Sequence, residues 1–306
     1  MADVAGLGSS VDSAGWRGVG KALQEMSSCS HADLALPTRP SDYRRMLQAY
    51  VGYDLVVAAS FLLTDAVVDV ARANPATHFM LIDPIVRPPE VANLAVLTFR
   101  SDESAFLAGV LAGTVTRTGV VAGVYGPEGA IDRSNRTGFE HGARYVRPTV
   151  QVLGAYQPAQ DGQPYGNPGW GADQARAFSG QQADVIFGAG GTTGEGALRG
   201  AAQSGRACIG VRVDVDADPG SASVPGSASG PGAGCLLASA ATHVAPSVAM
   251  TVIDVAGGRW HGGWRALGLA DHAVGLSLYA SLPSGVQQQI LNIADLLVSG
   301  ALTTGA

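Results

Sequence analysis

Residues 183–196 read ADVIFGAGGTTGEG. The apolar run at 185–187 enters a glycine-rich turn, Gly188 to Gly194, that opens a helix. A short apolar run bounded by turn residues is the pattern of a fully buried parallel strand. Working outward, six more runs share it, at 53–58, 79–82, 94–99, 120–125, 150–156 and 208–213. Helical spacing lies between most of them. Trp16, Val19, Leu23 and Met26 fall on one face, as do Phe106 with Val110 and Leu107 with Leu111. Strand alternating with helix predicts a doubly wound α/β architecture, with ligands bound where loops leave the carboxyl ends of strands.

The chain has 306 residues, enough for two lobes that each hold a core. Its 46% hydrophobic content, 14% charge and 42 glycines describe a turn-rich globule. A net charge of -6, with the 19 basic residues dispersed, argues against nucleic acid as a partner. Cys29, Cys208 and Cys235 are far apart and odd in number, so they are read as small buried hydrophobes rather than a disulfide framework or metal site. No window of about 18 apolar residues exists, and MADVAGLG lacks the basic and apolar regions of an export signal. Residues 218–234, rich in Pro, Gly, Ser and Ala, read as a surface loop. Residues 158–171 read as a second loop, carrying Tyr165 and Trp170, and 282–297 as a docking helix packed through Val286, Ile290, Ile293 and Leu297.

Enzyme motifs are absent from the pattern. The six histidines, at 31, 78, 141, 243, 261 and 272, show no metal-ligand spacing, and no G-x-S-x-G elbow occurs. No catalytic residue, metal or cofactor is expected. The turn at 188–194 offers free amides to an anion or polar group, with Gly191 and Thr193 as candidate ligand residues. Asp214, 20 residues beyond Gly194, imitates a dinucleotide fingerprint, but the spacing is G-x-G-x-x-x-G and a structural turn is the better reading. Ser10, Asp12 or Ser13 caps the first helix, which leaves Asp3 unexplained. Asp102 and Glu103 suit a helix N-terminus by charge.

Together these segments resemble the basic membrane protein family of ABC-transporter substrate-binding proteins. The anchors are DVAGL at 3–7, SVDSAGW at 10–16, YDLVVAASFLLTD at 53–65, FRSDESAFLAGVLA at 99–112, ADVIFGAGGTTGEG at 183–196, IGVRVD at 209–214 and GLADHAVGL at 268–276. The resemblance implies a type I periplasmic-binding-protein fold, with two α/β lobes, three crossovers and a purine-related ligand in the cleft. It implies no enzyme activity. Family members sandwich the purine between aromatic rings and read its edge with acidic and amide groups; an Asp and a Lys hold the ribose.

Residue by residue, Asp3 keeps the first-strand aspartate and Asp102 or Glu103 the acidic pair after Phe99. The family's S-F-N reads Ser10-Val11-Asp12, so a stacking Phe has become Val11. Tyr165 matches the aromatic of F-x-D-P, with Trp170 in reserve and Phe61 a further aromatic in the expected ligand set. The ribose Asp is Arg212, Asp214 remains, and the ribose Lys falls at Thr242. Loss of diol partners, with an Arg that favours an oxo-anion, predicts a free base or anionic relative rather than a nucleoside.

The expected lobes are 1–117 with 240–260, and 118–239 with 261–306. Only Met1 and Ala2 precede Asp3, where the family has several strand residues. Either the start is misassigned, with a lipoprotein leader lost upstream, or the chain tolerates a weakened lobe; the resemblance implies a full-length form that is extracytoplasmic, periplasmic or lipid-anchored, with its leader absent here. A monomer serving an ABC permease is the first reading. A sensor without transport is the alternative, and an NAD-dependent enzyme ranks below both.

Overall fold

The computed structural model describes residues 1, 10–26, 31–37, 39–84, 86–159, 162–213, 235–279 and 282–306. In chain order its elements are α1 (Ser10–Glu25), α2 (Tyr43–Ala49), β1 (Leu55–Ala58), α3 (Thr64–Ala73), β2 (His78–Ile82), β3 (Leu94–Phe99) and α4 (Ser101–Val115). Then follow β4 (Val120–Pro127), α5 (Ala130–Val146), β5 (Gln151–Gln157), α6 (Pro168–Gly180), β6 (Val185–Gly188), α7 (Gly191–Gln203) and β7 (Ala207–Val213). The last are β8 (Leu236–Thr242), α8 (Val244–Ala256), β9 (Gly263–Leu267), β10 (Val274–Leu278) and α9 (Ser284–Val298).

The chain divides into two compact units, Met1–Phe99 with His243–Leu267, and Arg100–Thr242 with Gly268–Ala306. In the first, β1-β2-β3-β9 form a parallel sheet. Phe79, Met80, Leu81 and Ile82 are all fully buried, as a run of apolar residues in an inner parallel strand must be when both faces are covered. Asn93 ties α3 to the strand that follows it, its side-chain amide donating to the Ala71 and Thr77 carbonyls at 3.0 and 2.7 Å.

The second unit has strand order β10-β8-β7-β6-β4-β5, parallel except for β10. Its strands alternate faces with period two. Val121 and Tyr125 face the α4–α5 side with Phe106, Phe139 and Phe187, while Ala122 and Val124 face Ala175, Phe178 and Leu198 of α6 and α7. Phe139 stacks on Phe187 with centroids 4.8 Å apart. Each such ring, fully withdrawn from water, stabilises the unit by roughly 1.5–3 kcal/mol.

Helix α4 is buried on every side from Asp102 to Gly113, rather than along one face. Glycines make that possible. A Cβ at Gly109 would lie 2.1 Å from the Phe139 carbonyl oxygen, and one at Gly142 would lie 2.0 Å from that of Phe106. The two helices therefore meet backbone to backbone.

Several sequence expectations are corrected. The lobe boundary falls at Phe99 rather than 117, because α4 packs on α5, β8 and α9, all in the second unit. Residues 240–242 also belong there, ending β8, and β9 joins the first unit by pairing with β3. Cys208 and Cys235 form a disulfide, with Cα atoms 5.3 Å apart, because they enter the neighbouring strands β7 and β8; Cys29 lies outside the described residues. Residues 168–171, read as loop, begin α6, with Asn167 capping and Pro168 at its first position. The loop expected at 218–234 lies outside the described residues.

Candidate functional site

In the second unit the chain leaves β4 to form β5 on one side, then returns to place β6 on the other. Strands β4 and β6 are neighbours whose exits lead to helices on opposite faces, α5 and α7. Such a reversal opens a crevice at the carboxyl ends of the strands.

Glycines let the backbones converge there. Gly190 and Gly191 have φ of +85° and +62°, and a Cβ at Gly190 would fall 2.1 Å from the Gly126 nitrogen. The ring of Tyr165 covers the same spot, since a Cβ at Gly126 would meet Tyr165 Cε1 at 2.4 Å and Asp132 Oδ1 at 3.0 Å. The turn at 188–191 is thus shaped by close backbone approach.

Tyr165 is itself left-handed, with φ +62°, a conformation costly for an aromatic residue unless its surroundings impose it. They do so through several hydrogen bonds. The Tyr165 N–H donates to Gln157 Oε1 at 3.1 Å, and its carbonyl accepts from the Thr193 N–H at 3.3 Å and the Thr192 hydroxyl at 3.1 Å. Thr193, fully buried, donates to Gln157 Oε1 at 2.8 Å and accepts from the Asn167 N–H at 3.0 Å. The Tyr165 hydroxyl bonds to the Asp132 carboxylate. Burial, with Asp132 beside it, pushes the phenol up to about 12. Asp132 is 1% exposed, and burial raises its carboxyl above the usual range, opposed by the Gly126 N–H that donates to Oδ1 at 2.9 Å. Tyr165 as a whole remains 37% exposed. A rigid half-open ring over a glycine floor, beside a buried carboxylate, can stack a flat solute and read a polar edge.

The structure brings Tyr165, Gly191 and Thr193 together. Trp170, half-buried near the start of α6, packs against the core cluster that holds Phe178 and Leu198. Asp102 and Glu103 begin α4 buried and already engaged. Asp102 accepts from the Thr304 hydroxyl at 2.5 Å, and Glu103 accepts from the Leu269 N–H at 2.6 Å and pairs with Arg100 at 2.7 Å. Burial raises the Glu103 carboxyl despite those partners. Thr242 ends β8, opposite Val213 and Val274. Arg212 is the penultimate residue of β7; only its backbone is described.

In the first unit, Val11 and Asp12 lie in the first turn of α1. Asp12 is 2% exposed and lies beside Trp16, Leu34 and Val57. Ser10 opens that helix, its side chain undescribed, and Phe61 is exposed in the turn after β1. Asp3 and Asp214 lie outside the described residues. Sequence reading missed Gln157 and Asp132. The one signal for Asp132 is an acid in the first turn after a glycine-rich strand exit, which otherwise reads as a cap.

Two α/β units between which the chain passes three times define a type I periplasmic-binding-protein fold. The family model described as ABC transporter substrate-binding protein PnrA-like matches residues 18–303, and the chain belongs to this basic membrane protein family. Basic membrane protein A of Borreliella burgdorferi is 31% identical over 170 residues, covering 54% of this chain and 48% of that protein. A CD4+ T-cell-stimulating antigen of Listeria innocua is 30% identical, covering 51% of this chain and 42% of its own. The matches thus span about half the length of these curated relatives or less. An ABC transporter solute-binding protein from Aeropyrum pernix superposes with a TM-score of 0.71 at 20% identity, covering 96% of this chain and 88% of its own. A transcriptional activator of the comK gene from Bacillus halodurans gives 0.77 at 16% identity, covering 95% of each chain. At such identities the likeness shows the fold alone.

Proposed function

We propose that this chain is the substrate-binding component of an ABC importer, working outside the cytoplasm and delivering a purine-related ligand to a membrane permease. A free base or its anionic relative is favoured over a nucleoside. The observation that carries this reading is Tyr165, a half-exposed ring held in a left-handed backbone by four neighbouring residues. Strain of that kind persists at ligand clamps, where a preset ring saves the ordering cost of binding. The preference against ribose rests on Val11, Arg212 and Thr242, which stand where the family has its stacking and ribose-holding side chains.

The disulfide supports placement in an oxidising compartment, since such bonds are rare where thiols are kept reduced. No helix among the described residues is long and apolar enough to cross a membrane.

Calorimetry with adenine, hypoxanthine, xanthine and urate against adenosine and guanosine tests the reading. Binding by the bases is expected; binding by nucleosides alone would overturn the preference. Tyr165→Ala should weaken binding by about 1–3 kcal/mol, the value of one aromatic stacking contact. Tyr165→Phe, which keeps the ring, should lose less. Equal losses would remove stacking from the account.

A further inference from the structure

The contacts that hold Tyr165 converge on one side chain. Gln157 ends β5 and is 2% exposed. Its Oε1 accepts from the Tyr165 N–H at 3.1 Å and from the Thr193 hydroxyl at 2.8 Å, while Nε2 donates to the Gln163 carbonyl at 2.6 Å. Thr193 closes the circuit, donating its own N–H to the Tyr165 carbonyl at 3.3 Å and accepting from the N–H of Asn167, the cap of α6, at 3.0 Å. One buried amide thus joins the end of β5, the connection around Tyr165 and the first turn of α7, all within the second unit. The chemistry of the group matters. A carboxamide sets an acceptor oxygen beside a donor nitrogen, whereas a carboxylate of the same size would turn an oxygen toward the Gln163 carbonyl. A buried mismatch of that kind costs more than the lost bond.

We infer that Gln157 is the positioning residue that presets Tyr165 for its ligand, by holding the left-handed backbone that keeps the ring over Gly126. This rests on the solute-binding reading above and deepens it: Gln157 acts through Tyr165 rather than on the solute. Without the amide, Tyr165 relaxes toward ordinary backbone angles, and binding is left to the fraction of molecules with the ring in place. Held in advance, the ring binds with its ordering already done.

The test compares Gln157→Glu with the unaltered chain, by amide hydrogen exchange without ligand and by calorimetry with hypoxanthine. At about pH 8 the variant should lose protection about tenfold or more at the Tyr165 and Thr193 amides while β4 keeps its own, and should bind hypoxanthine about tenfold or more weakly. On acidification to about pH 5, the introduced acid, raised by burial above its ordinary value of about 4.3, regains a proton and with it a donor for the Gln163 carbonyl. Its affinity relative to the unaltered chain at the same pH should then recover; that ratio removes the titration of Asp132 and Tyr165. A glutamine that merely stabilised the fold would release β4 too and show no recovery. Unchanged affinity at about pH 8, or a ratio flat with pH, overturns the inference.

If no purine base binds, the proposed function fails, and Gln157 is judged by exchange alone. Protection lost at Tyr165 and Thr193 and regained near pH 5 upholds the positioning role; loss throughout β4, or no loss, overturns it. Should Gln157→Glu not fold, Thr193→Val removes one donor to the same oxygen and is read the same way: lost protection confined to Tyr165 and Asn167 upholds the role, and loss across β4, or none, overturns it.

Discussion

Asp83 directly follows β2, with φ +53° and a carboxyl that burial pushes up to about 6. The sign of its effect follows from linkage. The folded state favours the protonated acid, so ionisation costs stability as pH rises from the unfolded value near 4 to about 6, and the cost stays in full above that. Asn tolerates the left-handed backbone and cannot ionise. Asp83→Asn should therefore melt higher than the unaltered chain at pH 7.5 and alongside it near pH 3. Melting curves across that range check this, and a gap independent of pH would show that burial of the charge is not the cause. At the same scale, the part Asp132 plays beside Tyr165 was not legible in the sequence, since an acid in the first turn of a helix reads as a cap.

Among elements, the strings that carried the resemblance prove to be about packing. FLAGVLA places Gly109 against the Phe139 carbonyl, and the facing helix returns the favour with Gly138 and Gly142. Gly142→Ala should destabilise by about 1–3 kcal/mol or more, the cost of overpacking a closed contact. Gly180→Ala is the control: it ends α6 with open space around its missing Cβ, and should be neutral or slightly stabilising. Urea midpoints that fell equally for both would refute the crossing argument. Runs such as 94–99 were legible because continuous burial needs continuous apolar residues. Strand β8, LLASAAT, was not. Its Ala and Ser residues have little strand preference, and it forms because β7 and β10 flank it.

For the whole molecule, the disulfide is the largest single constraint that pattern reading overlooked. Closing 27 residues of chain contributes about 3–4 kcal/mol on the loop-entropy account. Of three cysteines, two are in the bridge, so one thiol should titrate in denaturant before reduction and three after. Reductant should also lower the melting temperature. Three thiols from the start, with no change in melting, would remove the bridge.

The sequence by itself determined the alternation of buried strands and helices, the family, and the glycines that the α4–α5 crossing requires. Those are local signals, written in period and in the size of single side chains. Only the tertiary structure decided that α4 belongs to the second unit, that Cys208 reaches Cys235, and that Tyr165 closes over Gly126 beside Asp132. Each of these depends on which strands become neighbours. Asp132 and Tyr165 come from different connections and meet because β4 sits between β5 and β6. Strand order is settled by packing of the whole sheet, and no window of sequence contains it.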